Sequence, residues 1–262
     1  MAPFLGRLGN GGGTTAGFGF GRRRIISSNV IIVAPYTGAA APILNTTDSA
    51  GQILSSGVRS DSNASNLILA MPLTTSGGRS YNNDIIPSGR TSPAKTITNY
   101  NSGSFSGRYK FYGDALYNSG SSSYMVPSSN ILTYGNSFTI ECWIYWISGN
   151  GAAIYSDSDR GGLLWLNFGV LTDGKLWYYS YPSVSSSSTS SIIANQWNHI
   201  AFTKSGSTVS YFINGVKDAT TATWSNPGGS ASMFPMLDSA DHSFQDLRIY
   251  DSFVKYTGNF TP

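Results

Sequence analysis

From Asn66 onward, short runs of alternating apolar and polar residues follow one another, separated by clusters of Gly, Asn, Asp and Ser. Alternation with period two puts successive side chains on opposite faces of a strand. Turn-forming clusters at short, regular spacing are what a sandwich or jelly roll needs. The pattern predicts strands at Leu67–Met71, Arg108–Tyr112, Tyr124–Val126, Ser137–Ile147, Leu163–Phe168, Lys175–Tyr181, Gln196–Lys204, Thr208–Asn214 and Phe244–Tyr250. Asn214-Gly215 and Asp173-Gly174 predict tight hairpins, because both pairs tolerate positive φ. The serine run Ser183–Ser191 reads as a surface loop between two strands.

Parity within three of these strands separates two kinds of side chain. Phe138, Ile140, Cys142 and Ile144 share one face of their strand, and Glu141, Trp143 and Tyr145 the other. Leu164, Leu166 and Phe168 oppose Trp165. Leu176 and Tyr178 alternate with Trp177, Tyr179 and Tyr181. The aliphatic sets are the candidate core. If the strands belong to one sheet, Trp143, Tyr145, Trp165, Trp177, Tyr179 and Tyr181 form an aromatic outer face. Three occupants suit such a face: a glycan stacked on the rings, a neighbouring subunit, or another part of this chain. Coverage by protein, own or neighbouring, is favoured over a free glycan site.

Upstream the pattern changes. Residues 1–24 form a Gly-rich arm punctuated by Phe18 and Phe20 and closed by Arg22, Arg23 and Arg24. Glycine at this density forms no regular element unaided. The arm reads either as a tail or as an anchor that orders when its Phe and Arg side chains dock on a partner. Residues 25–64 hold β-branched runs, Ile25-Ile26 and Val30–Val33, in a segment too short to bury its own core. The jelly roll is assigned to 65–262.

The charged fraction is 11%, against about 25% in typical domains, but 13% of residues are aromatic. That combination reads as a folded, nearly neutral β protein rather than a disordered one. The net charge of +3 lies in the arm: residues 1–24 carry four arginines and no acid, so the remainder nets −1. Nucleic acid is therefore not the expected partner of the body. The single cysteine, Cys142, sits in a strand pattern and excludes an internal disulfide or a cysteine metal site. Neither a signal peptide nor a membrane-spanning run is expected.

Several segments carry a family resemblance. Ser137-Phe-Thr-Ile-Glu-Cys-Trp-Ile-Tyr145, Asn195-Gln-Trp-Asn-His-Ile-Ala-Phe-Thr203, Tyr211-Phe-Ile-Asn-Gly215 and Asp246-Leu-Arg-Ile-Tyr250 occur in the order found in laminin G-like, concanavalin A-like jelly rolls. Lys255-Tyr-Thr-Gly-Asn-Phe-Thr-Pro262 resembles the tail of copies from tailed bacteriophages, cyanophages in particular. The Gly-Phe-Gly-Phe-Gly-Arg-Arg-Arg start is similar to the N-termini of phage structural proteins. Met233-Phe-Pro-Met-Leu237 departs from the family, which often carries an Ile-Gly strand there. The resemblance implies an all-β, two-sheet antiparallel jelly-roll sandwich with an extended N-terminal arm.

The same architecture hosts sugar binding, protein docking and hydrolysis, so chemistry is argued from residues. Glycoside hydrolysis needs two carboxylates flanking the scissile bond, which the family supplies as glutamates on one strand. Glu141 is the only glutamate in this chain. His199 and His242 accompany no Gly-x-Ser-x-Gly elbow, and no phosphate-cradling loop is present. His199 reads as a packed, hydrogen-bonded side chain. No cofactor is required. Calcium, which some laminin G-like domains hold, would fall to Asp157, Asp159, Asp238 and Asp241, read as turn residues; ordinary turn aspartates are the favoured reading.

The expectation is a non-enzymatic virion structural protein, a capsid decoration or tail accessory, made in the host cytoplasm. It is present in many copies or as a homo-oligomer, displays its jelly roll on the particle and is held to capsid or tail proteins by its arm. The alternative is a tail-fibre module that binds a host-surface glycan; a glycoside hydrolase ranks last.

Overall fold

The structure is a computed structural model that describes residues 54–262, apart from 56–57, 76–81, 101–103, 107, 120–123, 130, 148, 159–163, 183, 227–232 and 235–239. The arm, with Phe18, Phe20, Arg22, Arg23 and Arg24, and the runs at Ile25–Val33 lie outside the described residues.

The described residues build an antiparallel sandwich. One sheet takes β12 (Val184–Ser191), β11 (Lys175–Ser180), β10 (Leu164–Val170), β9 (Ala152–Ser158) and β16 (Met233–Phe234), in that spatial order. The other orders β15 (Val216–Thr223), β14 (Thr208–Ile213), β13 (Trp197–Ser205), β8 (Phe138–Tyr145), β17 (Ala240–Asp251), β6 (Ala115–Ser119) and β5 (Ser104–Ser106). In this eight-stranded sheet β3 (Leu67–Met71) pairs with the second half of β17. Two small ribbons complete the set: β1 (Leu54–Ser55) with β2 (Val58–Arg59), and β4 (Ile97–Tyr100) with β7 (Tyr124–Pro127).

The core lies between the two sheets. Phe138, Ile140, Cys142 and Ile144 of β8 face inward with Ile200 and Phe202 of β13, and Leu166, Phe168, Leu176 and Tyr178 meet them from the five-stranded sheet. Phe168 is the hub, with ring centroids 5.0 Å from Phe202, 5.3 Å from Tyr178 and 5.8 Å from Phe138. Truncating such a ring to Ala costs about 3–5 kcal/mol. The β14–β15 hairpin turns at Asn214 and Gly215, at φ 49° and 82°, and Gly174 turns β10 into β11 at φ 84°.

Two sequence expectations are corrected. The run Arg108–Tyr112 is no strand: the amides of Lys110 and Phe111 donate to Gln245 Oε1 at 2.8 and 2.9 Å, so a side chain replaces a ladder partner. The serine run is strand β12, not a loop. It pairs with β11 on one side, and on its open side the amides of Thr189 and Ser190 donate to the Asp218 carboxylate at 2.9 Å each. A carboxylate from β15 thus caps the edge of the opposite sheet, which removes an exposed strand edge. Met233 and Phe234 form the short strand β16 against Asp157 and Ser156.

Strand β3 is guarded in a similar way. Asp84, fully buried, accepts the Ala70 amide at 2.8 Å and pairs with Arg90, which also donates to the carbonyls of Ile68 and Ile85. Each charge of this interior pair has several partners, which is what makes its burial tolerable.

Candidate functional site

The aromatic residues predicted to share one face are divided between two. Register places Tyr145, Trp143 and Glu141 of β8 beside Trp197, His199 and Ala201 of β13, on the outer face of the eight-stranded sheet. Trp177 and Tyr179 of β11 lie beside Gly169 and Asn167 of β10, on the outer face of the five-stranded sheet. The sequence pattern fixes which way a side chain points within its strand, but not which sheet the strand joins. Trp165 belongs to β10; its side chain is outside the described residues.

Three segments of the chain cover much of the eight-stranded face: residues 59–63, 108–114 and 253–262. A bulge in β17, with Asp246 at φ 57°, turns Gln245 and Asp246 out together. Gln245 holds the second segment, as described above. Asp246 accepts the Tyr112 hydroxyl and Arg59 Nη1 at 3.0 Å each, and Arg248 Nε at 3.1 Å. Phe111 sits edge-on to Trp143 at 5.4 Å, and Lys110 Nζ lies 4.3 Å from the Trp143 ring centroid. Trp143 is therefore only 6% exposed. Tyr145 stays half-buried, edge-on to Trp197 at 5.9 Å and under the Arg108 guanidinium.

Glu141 is the centre of this cover. Its carboxylate accepts Lys255 Nζ at 2.7 Å, the Tyr250 hydroxyl at 3.0 Å and the Tyr256 hydroxyl at 2.5 Å, with His199 Nε2 at 3.6 Å. Asp61 joins through Arg248 Nη1 at 2.9 Å, Lys255 Nζ at 3.4 Å and the Tyr250 hydroxyl. Burial acts to raise the Glu141 carboxyl, but the Lys255 charge and the His199 contact hold it well below the usual range. Asp61 is likewise lowered, its burial outweighed by Lys255 and Arg248. His199 is pushed down by burial and stays neutral at neutral pH. Arg59, Asp61, Glu141, Arg248, Lys255 and Tyr256 line a polar recess of about 200 Å³.

The tail completes the cover. Phe260 stacks on Tyr256 with centroids 3.5 Å apart, and both rings lie against His199 and Phe212. The Phe260 amide donates to the Gly215 carbonyl at 2.8 Å. A Cβ on Gly215 would lie 2.0 Å from the Phe260 carbonyl oxygen, so glycine is needed for the approach as well as for its φ.

The five-stranded face is built differently. Trp177 and Tyr179 are successive outward residues, with rings stacked at 5.8 Å and 29°; both are half-buried. Trp177 Nε1 donates to Ser185 Oγ at 2.9 Å, which orients the indole. Tyr181, just past β11, is exposed. Next to Tyr179, Asn167 and its register partner Ser156 point the same way, and Asn167 Oδ1 and Ser156 Oγ have no hydrogen-bond partner. Both polar atoms are buried, so the part of this face open to solvent is the strip of rings of Trp177, Tyr179 and Tyr181, flat surfaces of the kind that suit sugar rings.

The calcium candidates are not assembled. Asp157 lies in β9, not in a turn: its register partner Leu166 is a core residue, and its carboxylate is buried without a hydrogen-bond partner. Burial pushes it up from 3.8 to about 6. Asp241 is in β17, also not in a turn, and its side chain is outside the described residues, as are Asp159 and Asp238. Among the described residues no three acidic, His or Cys side chains form a group that could hold a metal ion.

The residues missed by sequence reading are Arg59, Asp61, Asp246, Arg248 and Lys255. Only Arg248 carried a sequence signal, an ionisable residue at an outward position of a predicted strand, which it shares with its register partner Glu141; Arg59, Asp61 and Lys255 lie outside every predicted strand.

The family model for the concanavalin A-like lectin/glucanases superfamily, laminin G type, matches residues 118–252. The chain belongs to this family. Among solved structures it is similar to the binding domain of botulinum neurotoxin DC in complex with SialylT, at 14% identity and TM-score 0.49, over 71% of this chain and 48% of that one. It is also similar to Trypanosoma rangeli sialidase, at 10% identity and TM-score 0.48, over 80% and 33%. Domain 4 of AbnA, a GH43 extracellular arabinanase from Geobacillus stearothermophilus in complex with arabinotriose, aligns at 18% identity and TM-score 0.47, over 75% and 95%. The chain thus spans about half of the neurotoxin chain and a third of the sialidase. No curated protein matches it.

Proposed function

We propose that this chain is a non-enzymatic structural protein of a tailed-phage particle whose displayed jelly roll is a saccharide-binding module. The observation that carries the binding role is the split of the aromatic residues. Trp143 is covered by the chain itself, whereas Trp177, Tyr179 and Tyr181 keep part of their surface in solvent. The family supplies the ligand class, since its description joins lectins and glucanases.

The carboxylates support the non-catalytic half of the reading. A glycosidase acid must hold its proton near neutral pH. Glu141 and Asp61 are both lowered and engaged by Lys255. Asp157 is raised by burial, and its carboxylate is enclosed without a hydrogen-bond partner. The virion context rests on the sequence resemblance at both ends of the chain and on the basic arm.

The test has two parts. Mass spectrometry of purified particles should find the chain, and deletion of residues 1–24 should abolish incorporation while the jelly roll still folds. Binding of the purified chain to host-surface polysaccharide should be lost in Trp177→Ala. Normal incorporation without the arm would overturn the anchoring role. Binding that survives Trp177→Ala would overturn the saccharide face, and turnover of the polysaccharide would revive the hydrolase.

A further inference from the structure

Asparagine followed by glycine is a chemically weak point in a chain. The glycine amide nitrogen can attack the Asn carboxamide carbon, because no Cβ hinders the approach. Ammonia leaves as the new C–N bond closes a five-membered succinimide ring. Water then opens the ring at one carbonyl to give aspartate, or at the other to give isoaspartate. No oxidant, reductant or cofactor enters the reaction. The sequence holds three such pairs, Asn10-Gly11, Asn150-Gly151 and Asn214-Gly215. The first lies outside the described residues, and the fold treats the other two in opposite ways.

At Asn214 the carboxamide is held at both ends. Its Oδ1 accepts the His199 amide at 2.8 Å, and its Nδ2 donates to Asn198 Oδ1 at 3.1 Å. Asn198 is fully buried and fixed in turn, because its Nδ2 donates to the carbonyls of Ile193 and Gln196. The Gly215 carbonyl accepts the Phe260 amide, which holds the glycine under the tail. Ring closure at Asn214 therefore requires its two side-chain hydrogen bonds to open first.

Asn150 sits in the turn between β8 and β9, just after Gly149 at φ 91°. Its backbone carbonyl is engaged, by Trp146 Nε1 at 2.9 Å and with His242 Nε2 at 3.3 Å. Its carboxamide makes no hydrogen bond among the described residues. The residue is only half-buried and its neighbour Gly149 is exposed, so water reaches the turn.

We infer that Asn150-Gly151 is a site of spontaneous deamidation in the folded protein, and that the fold protects Asn214-Gly215 from the same reaction. Either product puts a carboxylate at position 150, beside His242. In isoaspartate the main chain runs on through the former side chain and is one atom longer. The carbonyl that Trp146 and His242 share then leaves the backbone path, at a turn that anchors a core tryptophan. The site is independent of what the sandwich binds.

Peptide mass mapping after incubation at mildly alkaline pH tests it, with aspartate and isoaspartate forms separated by chromatography. In the folded protein, conversion at Asn150 should outrun that at Asn214 by about tenfold or more, since two hydrogen bonds guard only the latter. In urea, where neither turn survives, the two sites should convert at similar rates. Also in urea, Gly151→Ala should slow position 150 and leave position 214 unchanged, as attack by the residue 151 amide requires. Equal rates at the two sites in the folded protein, or an unmodified Asn150 after the urea sample has converted, would overturn the assignment. An unslowed Gly151→Ala would overturn the succinimide route.

Discussion

Lys255 Nζ lies 2.7 Å from Glu141 Oε1, and this contact helps tie the C-terminal segment to the middle of the eight-stranded sheet. The same ammonium reaches Asp61 at 3.4 Å, so it also joins the C-terminal segment to the covering segment 59–63. Removing one partner of a buried pair leaves the other uncompensated, at a cost of about 3 kcal/mol. Glu141→Gln should lower stability by that order at pH 7. The folded-state value of Glu141 is depressed, so its contribution is present above its usual 4.5 and is lost as pH falls through the folded value. Urea denaturation of both proteins from pH 8 to pH 3 should show a gap that closes only at the acid end. A gap unchanged at pH 3 would refute the ionic role.

Gly215→Ala should release the tail. The new Cβ meets the Phe260 carbonyl, and φ of 82° strains any L side chain. We expect a loss of about 2 kcal/mol or more and rapid proteolysis at the C-terminal segment. Unchanged melting and protease resistance would contradict the described approach.

Asp157→Asn should stabilise the protein at neutral pH. The folded value is raised from 3.8 to about 6, so the folded state disfavours the charged form and loses stability as pH rises through that window. The amide removes that penalty, worth up to roughly 3 kcal/mol above pH 6, and gives no gain below pH 4. Thermal melts at pH 7.5 and pH 3.5 separate the outcomes; an equal effect at both would refute the burial argument.

Asp218→Ala should open the edge of β12. The Thr189 and Ser190 amides lose their acceptor, costing about 1–3 kcal/mol, and a bare strand edge invites pairing between molecules. Light scattering during mild heating should rise earlier than in the wild type; identical traces and melting would count against the clasp.

Much of the sandwich was legible because its strands alternate cleanly. Phe138, Ile140, Cys142 and Ile144 face the core and Trp143 faces away, as parity dictates. Long-range partners were not legible. That β8 and β11 lie in different sheets depends on pairings between distant segments. The cover over Trp143 comes from Phe111 and Lys110, which Gln245 positions. The serine run becomes a strand because Asp218 satisfies its open side. Asp157 read as a turn residue because Gly149, Gly151, Gly161 and Gly162 flank β9 closely and mask a strand of small side chains. At the candidate site, Trp177 and Tyr179 were singled out from their strand alone, whereas Asn167 and Ser156 needed the register of three strands.

The central claim is that saccharide meets the Trp177–Tyr179 strip. It is tested most directly by following the indole N–H resonances of the purified chain by NMR while titrating a polysaccharide fragment from the host surface, with Trp177→Phe to assign the Trp177 signal. The account predicts a saturable shift of the Trp177 resonance, with those of Trp143 and Trp197 unmoved. A shift at Trp197 with Trp177 unmoved, or no shift at any indole, would contradict it.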